Sequence, residues 1–335
     1  MTAATIGIAA NPASGKDVRR LVARASVFDN QEKCAIVRRA VVGALGAGAS
    51  RFTYAPDTHQ ITASALAEFG SDVDAHAVDT PRTGSALDTV RAAIALREAG
   101  CAIVITLGGD GTNRAFAKGW RDAPLIAIST GTNNVFPQLI EATIAGAAAG
   151  LIAIGSVAIA ECARRSKTIH VAIDDEDDDL ALIDVVLTAE RFVGARALLE
   201  SDALRLAFLT RADPAAVGMT AIGGLLLPTP ADVPAGVVVE LGTGNRRLRA
   251  PIAPGLYRSV QVGDARRVAP GETLSVRGPG VLAFDGERER VLKPGQCARL
   301  TLMTDGPWVV DVAKTMRIAA CRGAFLERDG DPDAD

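Results

Sequence analysis

The densest chemistry in the sequence is Gly108-Gly109-Asp110-Gly111-Thr112. It follows an apolar run, residues 101–107, that reads as a buried strand, and it opens residues 112–120, which read as a helix. Glycines at such a turn let the backbone approach a ligand closely and take positive φ. The N–H groups at the start of a helix form an anion site. An aspartate among them makes chemical sense if it holds Mg²⁺, receives a proton or grips a hydroxyl. The plainer reading is a tight strand-to-helix turn with Asp110 as its cap.

Three further motifs carry polar groups at comparable places. Asn11-Pro12-Ala13-Ser14-Gly15-Lys16 follows the apolar run of residues 5–10, where polar side chains, a glycine and a lysine suit phosphate contact. It is not a Walker A loop, because Ala10 stands where the first glycine is required and Asp17 follows the lysine. No G-x-G-x-x-G fingerprint follows the first strand either, which weighs against a dinucleotide-dependent oxidoreductase. Gly131-Thr132-Asn133-Asn134 lies between the strand 125–129 and an Ala-rich helix; it can cap that helix or bind ligand hydroxyls. Phe284-Asp285-Gly286-Glu287 reads as a β-turn with two solvated carboxylates.

The elements that must position these motifs follow from hydrophobic periodicity. Residues 29–45 read as a helix, with Asp29 and Glu32 in capping-box spacing. Residues 51–54 and 75–80 read as strands and 61–69 and 85–99 as helices, the last with Leu87, Val90, Ile94 and Leu96 on one side. Strands alternating with helices imply a parallel, doubly wound sheet. Residues 139–160 are nearly all apolar, but they are rich in Ala and Gly and lack an aromatic belt. They read as a tightly packed helix between layers and not as a membrane span. Beyond about residue 165 the chain turns β-rich. Residues 168–173 and 180–188 flank the acidic run 174–179, which reads as a solvated hairpin tip. Short strands at 237–241, 257–262, 273–276, 281–284 and 298–303 suggest a sandwich. A helix is expected at 195–204 and a disordered tail at 329–335. Arg164-Arg165-Ser166-Lys167 reads as a basic helix end.

Bulk properties exclude several classes. The chain has 335 residues, enough for two domains, and 48% hydrophobic against 22% charged residues is a globular balance. A net charge of −3 and 4% aromatics argue against nucleic-acid binding by a basic stripe or stacking platform. The five cysteines are widely spaced and lack a C-x-x-C pair, as expected of free thiols in a reducing cytoplasm. The N-terminus has no basic region, and its apolar run breaks at Asn11-Pro12, too short for a signal peptide, so a cytoplasmic location without stable membrane association is expected.

Taken in order, N-P-x-S-G-K, G-G-D-G-T, G-T-x-N and a late D-G-E resemble the superfamily of ATP-NAD kinases, diacylglycerol kinases and sphingosine kinases, over residues 11–287. The intact stretch 11–16 and the G-T-N-N-V-F-P wording of 131–137 look most like the ATP-NAD kinase-like AcoX type of acetoin catabolism. The resemblance implies an α/β plus all-β fold: a Rossmann-like doubly wound domain over residues 1–155, a β-sandwich over 156–308, and residues 309–328 returning to the first domain. It implies transfer of the γ-phosphoryl group of ATP, with Mg²⁺, to a hydroxyl of a small molecule. NAD is the default acceptor. A different nucleotide-like or acetoin-pathway metabolite, a lipid, or a non-catalytic nucleotide-binding role stands beside it. Gly108, Gly109, Gly111 and Thr112 would cradle the phosphates, Asn11, Ser14 and Lys16 would support them, and Thr132 and Asn134 would help hold ATP or the acceptor. Glu287 is the favoured base, with Asp285 aiding it. Asp110 would organise the hydroxyl or Mg²⁺, and Asp110 and Asp285 are the metal candidates. A homodimer is implied as well. Two departures bear on the acceptor. The chain has no Asn-Glu dipeptide of the kind that grips nicotinamide riboside in NAD kinases, and Val135 stands where lipid kinases carry an Asp.

Overall fold

Strands and helices alternate through the first half of the chain: β1 (Ile6–Ala10), α1 (Asn30–Gly46), β2 (Arg51–Tyr54), α2 (Ile61–Ala67), β3 (Asp74–Ala77), α3 (Ala86–Glu98), β4 (Ile103–Gly108), α4 (Asp110–Gly119), β5 (Pro124–Ser129), α5 (Ala142–Ala153), α6 (Ile159–Cys162) and β6 (Ala163–Arg165). The computed structural model describes residues 4–15, 28–131, 134–189 and 203–326. The expected helix at 195–204 falls mostly outside the described residues, and the tail 329–335 wholly so. β1 to β5 are parallel and lie in the order β3-β2-β1-β4-β5, so the sheet reverses its winding at β1 and β4. One face packs on α1, α2 and α5 through Ile36, Val41, Leu66 and Leu151. The other packs on α3 and α4 through Leu96, Phe116 and Ala117. The sheet is therefore doubly wound, and the ends of β1 and β4 form its switch point, the place where open α/β sheets usually bind ligands.

The Ala-rich segment is the helix α5, and its small residues have a specific use. A Cβ on Gly146 would stand 1.8 Å from the Ala40 carbonyl of α1, and one on Gly43 would stand 1.8 Å from the Thr143 carbonyl of α5. The two helices cross at a distance only glycine permits, which is the packing expected from the sequence. No helix among the described residues is long and apolar enough to cross a membrane. The expected face of α3 is corrected. Leu87 and Ile94 are exposed, whereas Ala92, Ala93 and Leu96 are buried. Gly119 at the end of α4 comes so close that its Cβ would lie 2.2 Å from the Val90 carbonyl, so the small side of α3 faces the neighbour.

The second half holds β7 (Thr168–Ile173), β8 (Asp179–Ala181), β9 (Asp184–Thr188), β10 (Leu204–Leu209), α7 (Met219–Leu226), β11 (Gly236–Ala253), β12 (Leu256–Val268), β13 (Thr273–Arg277), β14 (Gly280–Phe284), β15 (Glu287–Leu292) and β16 (Cys297–Met303). They form two antiparallel sheets, β12-β11-β10-β9-β14-β15 and β13-β16-β7-β8. Val171, Val185, Phe208, Leu282, Phe284 and Leu300 fill the space between them. α7 covers the outer face of the larger sheet through Met219 and Ile222. The chain then returns. β17 (Trp308–Val310) pairs in parallel with β5 and antiparallel with β6, and α8 (Val312–Cys321) packs its Val312 and Ala319 into the first core.

Three details of the β-rich half differ from the sequence expectation. Residues 180–188 are not one strand: β8 belongs to the smaller sheet and β9 to the larger, with the switch at Leu182-Ile183. Asp179 is not part of a solvated tip. Its side chain is buried against Arg114 at 3.0 Å and Lys118 at 3.0 Å, both on α4. The basic run 164–167 is not a helix end. Ala163–Arg165 is β6, and Lys167 is buried, donating to the carbonyls of Pro230, Val233 and Ala235. A buried ammonium satisfies several carbonyls at once, which a charge count along the sequence does not reveal.

Candidate functional site

The loop after β4 is tight because it must be. A Cβ on Gly108 would stand 2.4 Å from the Thr112 side chain, and one on Gly109 would stand 2.9 Å from Asn134 Oδ1. α4 starts at Asp110 with Gly109 as its cap residue. The first-turn N–H groups of a helix have no carbonyl partner within it, which is the chemistry of an anion site.

The second motif is tied to the first. Asn11 Nδ2 donates to Thr112 Oγ1 at 2.8 Å, and Ser14 Oγ lies 2.8 Å from Thr130 Oγ1. Gly15 has φ +79°, and a Cβ there would stand 2.7 Å from the Thr130 carbonyl. Asn134 Nδ2 donates to Ser129 Oγ at 2.8 Å. The structure thus brings Asn11, Ser14, Gly108, Gly109, Thr112 and Asn134 together at the ends of β1, β4 and β5; Gly111 is in the first turn of α4. Lys16 and Thr132 lie outside the described residues.

Lys33, not singled out in the sequence, holds the second motif from below. It is wholly buried, and its Nζ donates to the carbonyls of Asn11 at 2.9 Å, Pro12 at 3.1 Å and Ser14 at 2.6 Å. Nothing in the local pattern of α1 marks it, because its partners come from the preceding loop. Lys33→Met keeps the stem and removes the donors. Leaving buried carbonyls unsatisfied should cost about 3 kcal/mol. Denaturant unfolding checks this, and unchanged stability would contradict the strut role.

The carboxylates converge where the two halves meet. Asp110 accepts from the N–H groups of Val135, at 3.0 Å to both oxygens, and Phe136, at 2.7 Å. Asp285 accepts from three successive N–H groups: Leu182 at 2.9 Å, Ile183 at 2.7 Å and Asp184 at 3.0 Å. Those are the groups left without ladder partners where the chain leaves β8 for β9. The D-G turn is therefore not a solvated one: Asp285 is buried and holds φ at +49°. Its own N–H donates to the Asp184 carbonyl at 3.0 Å, which brings Asp184, a residue the sequence did not flag, beside Asp285. Glu287 opens β15 opposite Phe284; its side chain is outside the described residues.

Burial raises the proton affinity of all three carboxyls, and Asp285 raises that of its two neighbours further. Burial, and then the neighbouring Asp285, pushes Asp110 up to about 7, against the pull of its backbone bonds and of Arg211. Burial followed by Asp285 and Asp110 pushes Asp184 well above the ordinary range. Asp285 is raised by burial, although Arg114 and its backbone bonds oppose this. Each such group holds a proton in the native state that the unfolded chain releases above about pH 4. The stability they contribute is complete at low pH and is lost as pH rises, through about 7 for Asp110. Asp179 and Asp305, whose pKa values are lowered, act in the opposite sense but only below about pH 4. The ligand-free protein should therefore melt at a lower temperature at pH 8 than at pH 5, and Asp110→Asn should flatten that slope. A melting temperature that climbs from pH 5 to pH 8 would contradict the like-charge cluster.

The second half anchors α4 directly. Arg114 Nε donates to the Leu180 carbonyl at 2.6 Å, its guanidinium lies 4.7 Å from the Phe284 ring centre, and it pairs with Asp179. A further cation, Arg211, follows β10 and donates to the Val135 carbonyl at 3.2 Å. Sequence reasoning missed it, since only the fold carries residue 211 to residue 135.

Among the described residues no group of three or more His, Cys, Asp or Glu is arranged as a cage for a metal ion. Asp110 and Asp285 each keep one oxygen, Oδ2, that accepts a single backbone bond. That suits the partial ligation a protein offers Mg²⁺ when phosphate oxygens and water supply the rest.

The chain is similar to known proteins over almost its whole length. Residues 6–157 match the ATP-NAD kinase N-terminal domain, and residues 167–305 match the acetoin catabolism protein X C-terminal domain. Acetoin catabolism protein X of Cupriavidus necator is 37% identical over 332 residues, covering 95% of this chain and 92% of that protein. Among solved structures, yeast NADH kinase complexed with NADH shares the fold. Its TM-score is 0.50 at 14% identity, over 97% of this chain and 89% of that one.

Proposed function

The chain belongs to the acetoin catabolism protein X family, and on that footing we propose that it is a kinase that moves the γ-phosphoryl group of ATP to a hydroxyl of a small molecule. NAD, giving NADP, is the first acceptor to consider. The observation that carries the reading is the junction of a glycine-tight anion loop with a carboxyl whose pKa is about 7. Such a group is half ionised near neutrality and can accept a proton from an incoming alcohol.

In this reading Asn11, Ser14, Gly108, Gly109, Gly111 and Thr112 receive the triphosphate, with Lys16 and Thr132 as neighbours in the same motifs. Asn134 borders the acceptor side. The acceptor oxygen attacks the γ-phosphorus, the bond from that phosphorus to the bridging oxygen of ADP breaks, and the hydroxyl proton passes to Asp110. The sequence favoured Glu287 as base, and Asp110 takes that role here because of its raised pKa and its position at the start of α4. Asp285 holds the β8–β9 switch in shape and adds to burial in raising the proton affinity of Asp110. Mg²⁺, which we expect with the nucleotide, would be held by Asp285 and would neutralise phosphate charge, leaving Oδ2 of Asp110 to take the proton.

Incubation with Mg-ATP and NAD, read by an NADP-specific dehydrogenase, tests the acceptor. NADP formation is expected. ADP formation that depends on a different hydroxyl compound, with no NADP, would keep the kinase and remove NAD.

A further inference from the structure

Arg211 and Asp110 hold the same residue from opposite domains. Asp110 accepts from the Val135 N–H, and Arg211 donates to the Val135 carbonyl at 3.2 Å, with its guanidinium 6.0 Å from the Phe136 ring centre. The guanidinium is fixed by one protein bond and has donors to spare. It carries five N–H donors, and among the described residues this carbonyl is its single hydrogen-bond partner. It feels the charges of Asp110, Asp213 and Asp285, yet it forms no ion pair with any described carboxylate.

Simple charge balance explains this poorly. Where the fold uses an arginine to neutralise a carboxylate it closes the pair, as Arg114 does on Asp179 at 3.0 Å. Asp110 and Asp285 instead spend their oxygens on backbone N–H groups. The Arg211 donors are left over, and the side chain is partly exposed at the junction of the two domains. No Arg211 nitrogen is among the buried polar atoms left without a partner, so solvent reaches the donors that Val135 does not take and an anion can replace water on them. A planar fork of this kind matches phosphate oxygens.

We propose that Arg211 is a phosphate-binding residue, supplied by the second domain to a ligand whose other phosphates rest on the Gly108–Thr112 loop. The proposal deepens the kinase reading. If the phosphate is the one in transfer, Arg211 is a catalytic residue that stabilises its developing charge. The same chemistry could come from a phosphate already on the acceptor.

Titration calorimetry of the wild type, Arg211→Gln and Arg211→Lys with Mg-ATP, Mg-ADP, NAD and inorganic tripolyphosphate separates the cases. A loss of about tenfold or more for ATP in Arg211→Gln, with ADP nearly unchanged, assigns the contact to the γ-phosphate. The same loss confined to NAD assigns it to the acceptor. In both cases Arg211→Lys should recover part of the affinity. Equal weakening of all ligands with a lower melting temperature would mean that Arg211 acts only by pinning Val135, and would overturn the proposal. Unchanged affinities in Arg211→Gln would overturn it while leaving the kinase reading intact. Wild-type protein that binds tripolyphosphate through Arg211, but neither ATP nor NAD, would sink the kinase reading and keep this one. Binding of none of the four would end both.

Discussion

Asp110→Asn should lower kcat/KM for phosphoryl transfer by about 10²–10⁴, the range for removal of a general base. The fold should survive, because an amide oxygen at the Oδ1 position can still accept from Val135 at 3.0 Å and Phe136 at 2.7 Å. Removing one of three mutually repelling carboxyls should leave the melting temperature unchanged or higher at pH 8. In the wild type kcat/KM should climb with pH through a limb near 7, the value burial and Asp285 impose on Asp110, and the variant should lose that limb. Near-wild-type turnover would remove Asp110 from the chemistry, and Glu287→Gln in the same assay would show whether the base lies there. A slow variant that still shows the limb would mean that a different group titrates.

Gly146→Ala should be the most damaging small substitution outside the site. Helix propensity alone favours alanine by about 1 kcal/mol. Against this, the new Cβ would stand 1.8 Å from the Ala40 carbonyl and 2.7 Å from the Ala40 Cα. The obstacle is backbone and cannot swing aside, so α1 and α5 must separate along their whole contact. Overpacking of this kind costs about 3 kcal/mol, or about 5–10 °C in melting temperature. Gly46→Ala is the control. It lies at the end of α1 with nothing within 4 Å of its Cβ, so it should be neutral or slightly stabilising. Equal effects of the two substitutions would show that the helix contact is not what the small residues serve. Because α1 also carries Lys33, a shift of this helix should weaken the Asn11–Ser14 loop as well.

What could be read from the sequence was local. Gly108 to Thr112 could be recognised because strand end, tight turn and helix start are adjacent in the chain. The doubly wound half followed from strands alternating with helices. The Ala- and Gly-rich stretch pointed to close helix packing, and α5 packs in that way. What escaped was made by distant residues meeting. Asp184 belongs to the site only because the chain changes sheets at Leu182-Ile183 and Asp285 closes the gap. Arg211 belongs to it only because β10 ends opposite Val135. Lys33 is an unmarked lysine in an amphipathic helix until three carbonyls of the first loop fold over it. Asp179 sat in an acidic run whose sum suggested solvation, yet α4 presents two cations to that one position. On α3 the large residues suggested the buried face, but close approach to Gly119 selected the alanines. Periodicity reports which side can be buried, and the neighbour decides which side is.

The most direct measurement is ADP release from Mg-ATP by the wild-type protein against a panel of hydroxyl acceptors: NAD, NADH, thiamine and its diphosphate, acetoin-related diols, nucleosides and diacylglycerol. A kinase built on the Asp110 cluster predicts release that depends on at least one acceptor and is lost in Asp110→Asn. Tight Mg-ATP binding with no acceptor-dependent release anywhere on the panel would contradict catalysis at this cluster and favour a nucleotide-sensing role. Absence of ATP binding would contradict the reading of the Gly108–Thr112 loop itself.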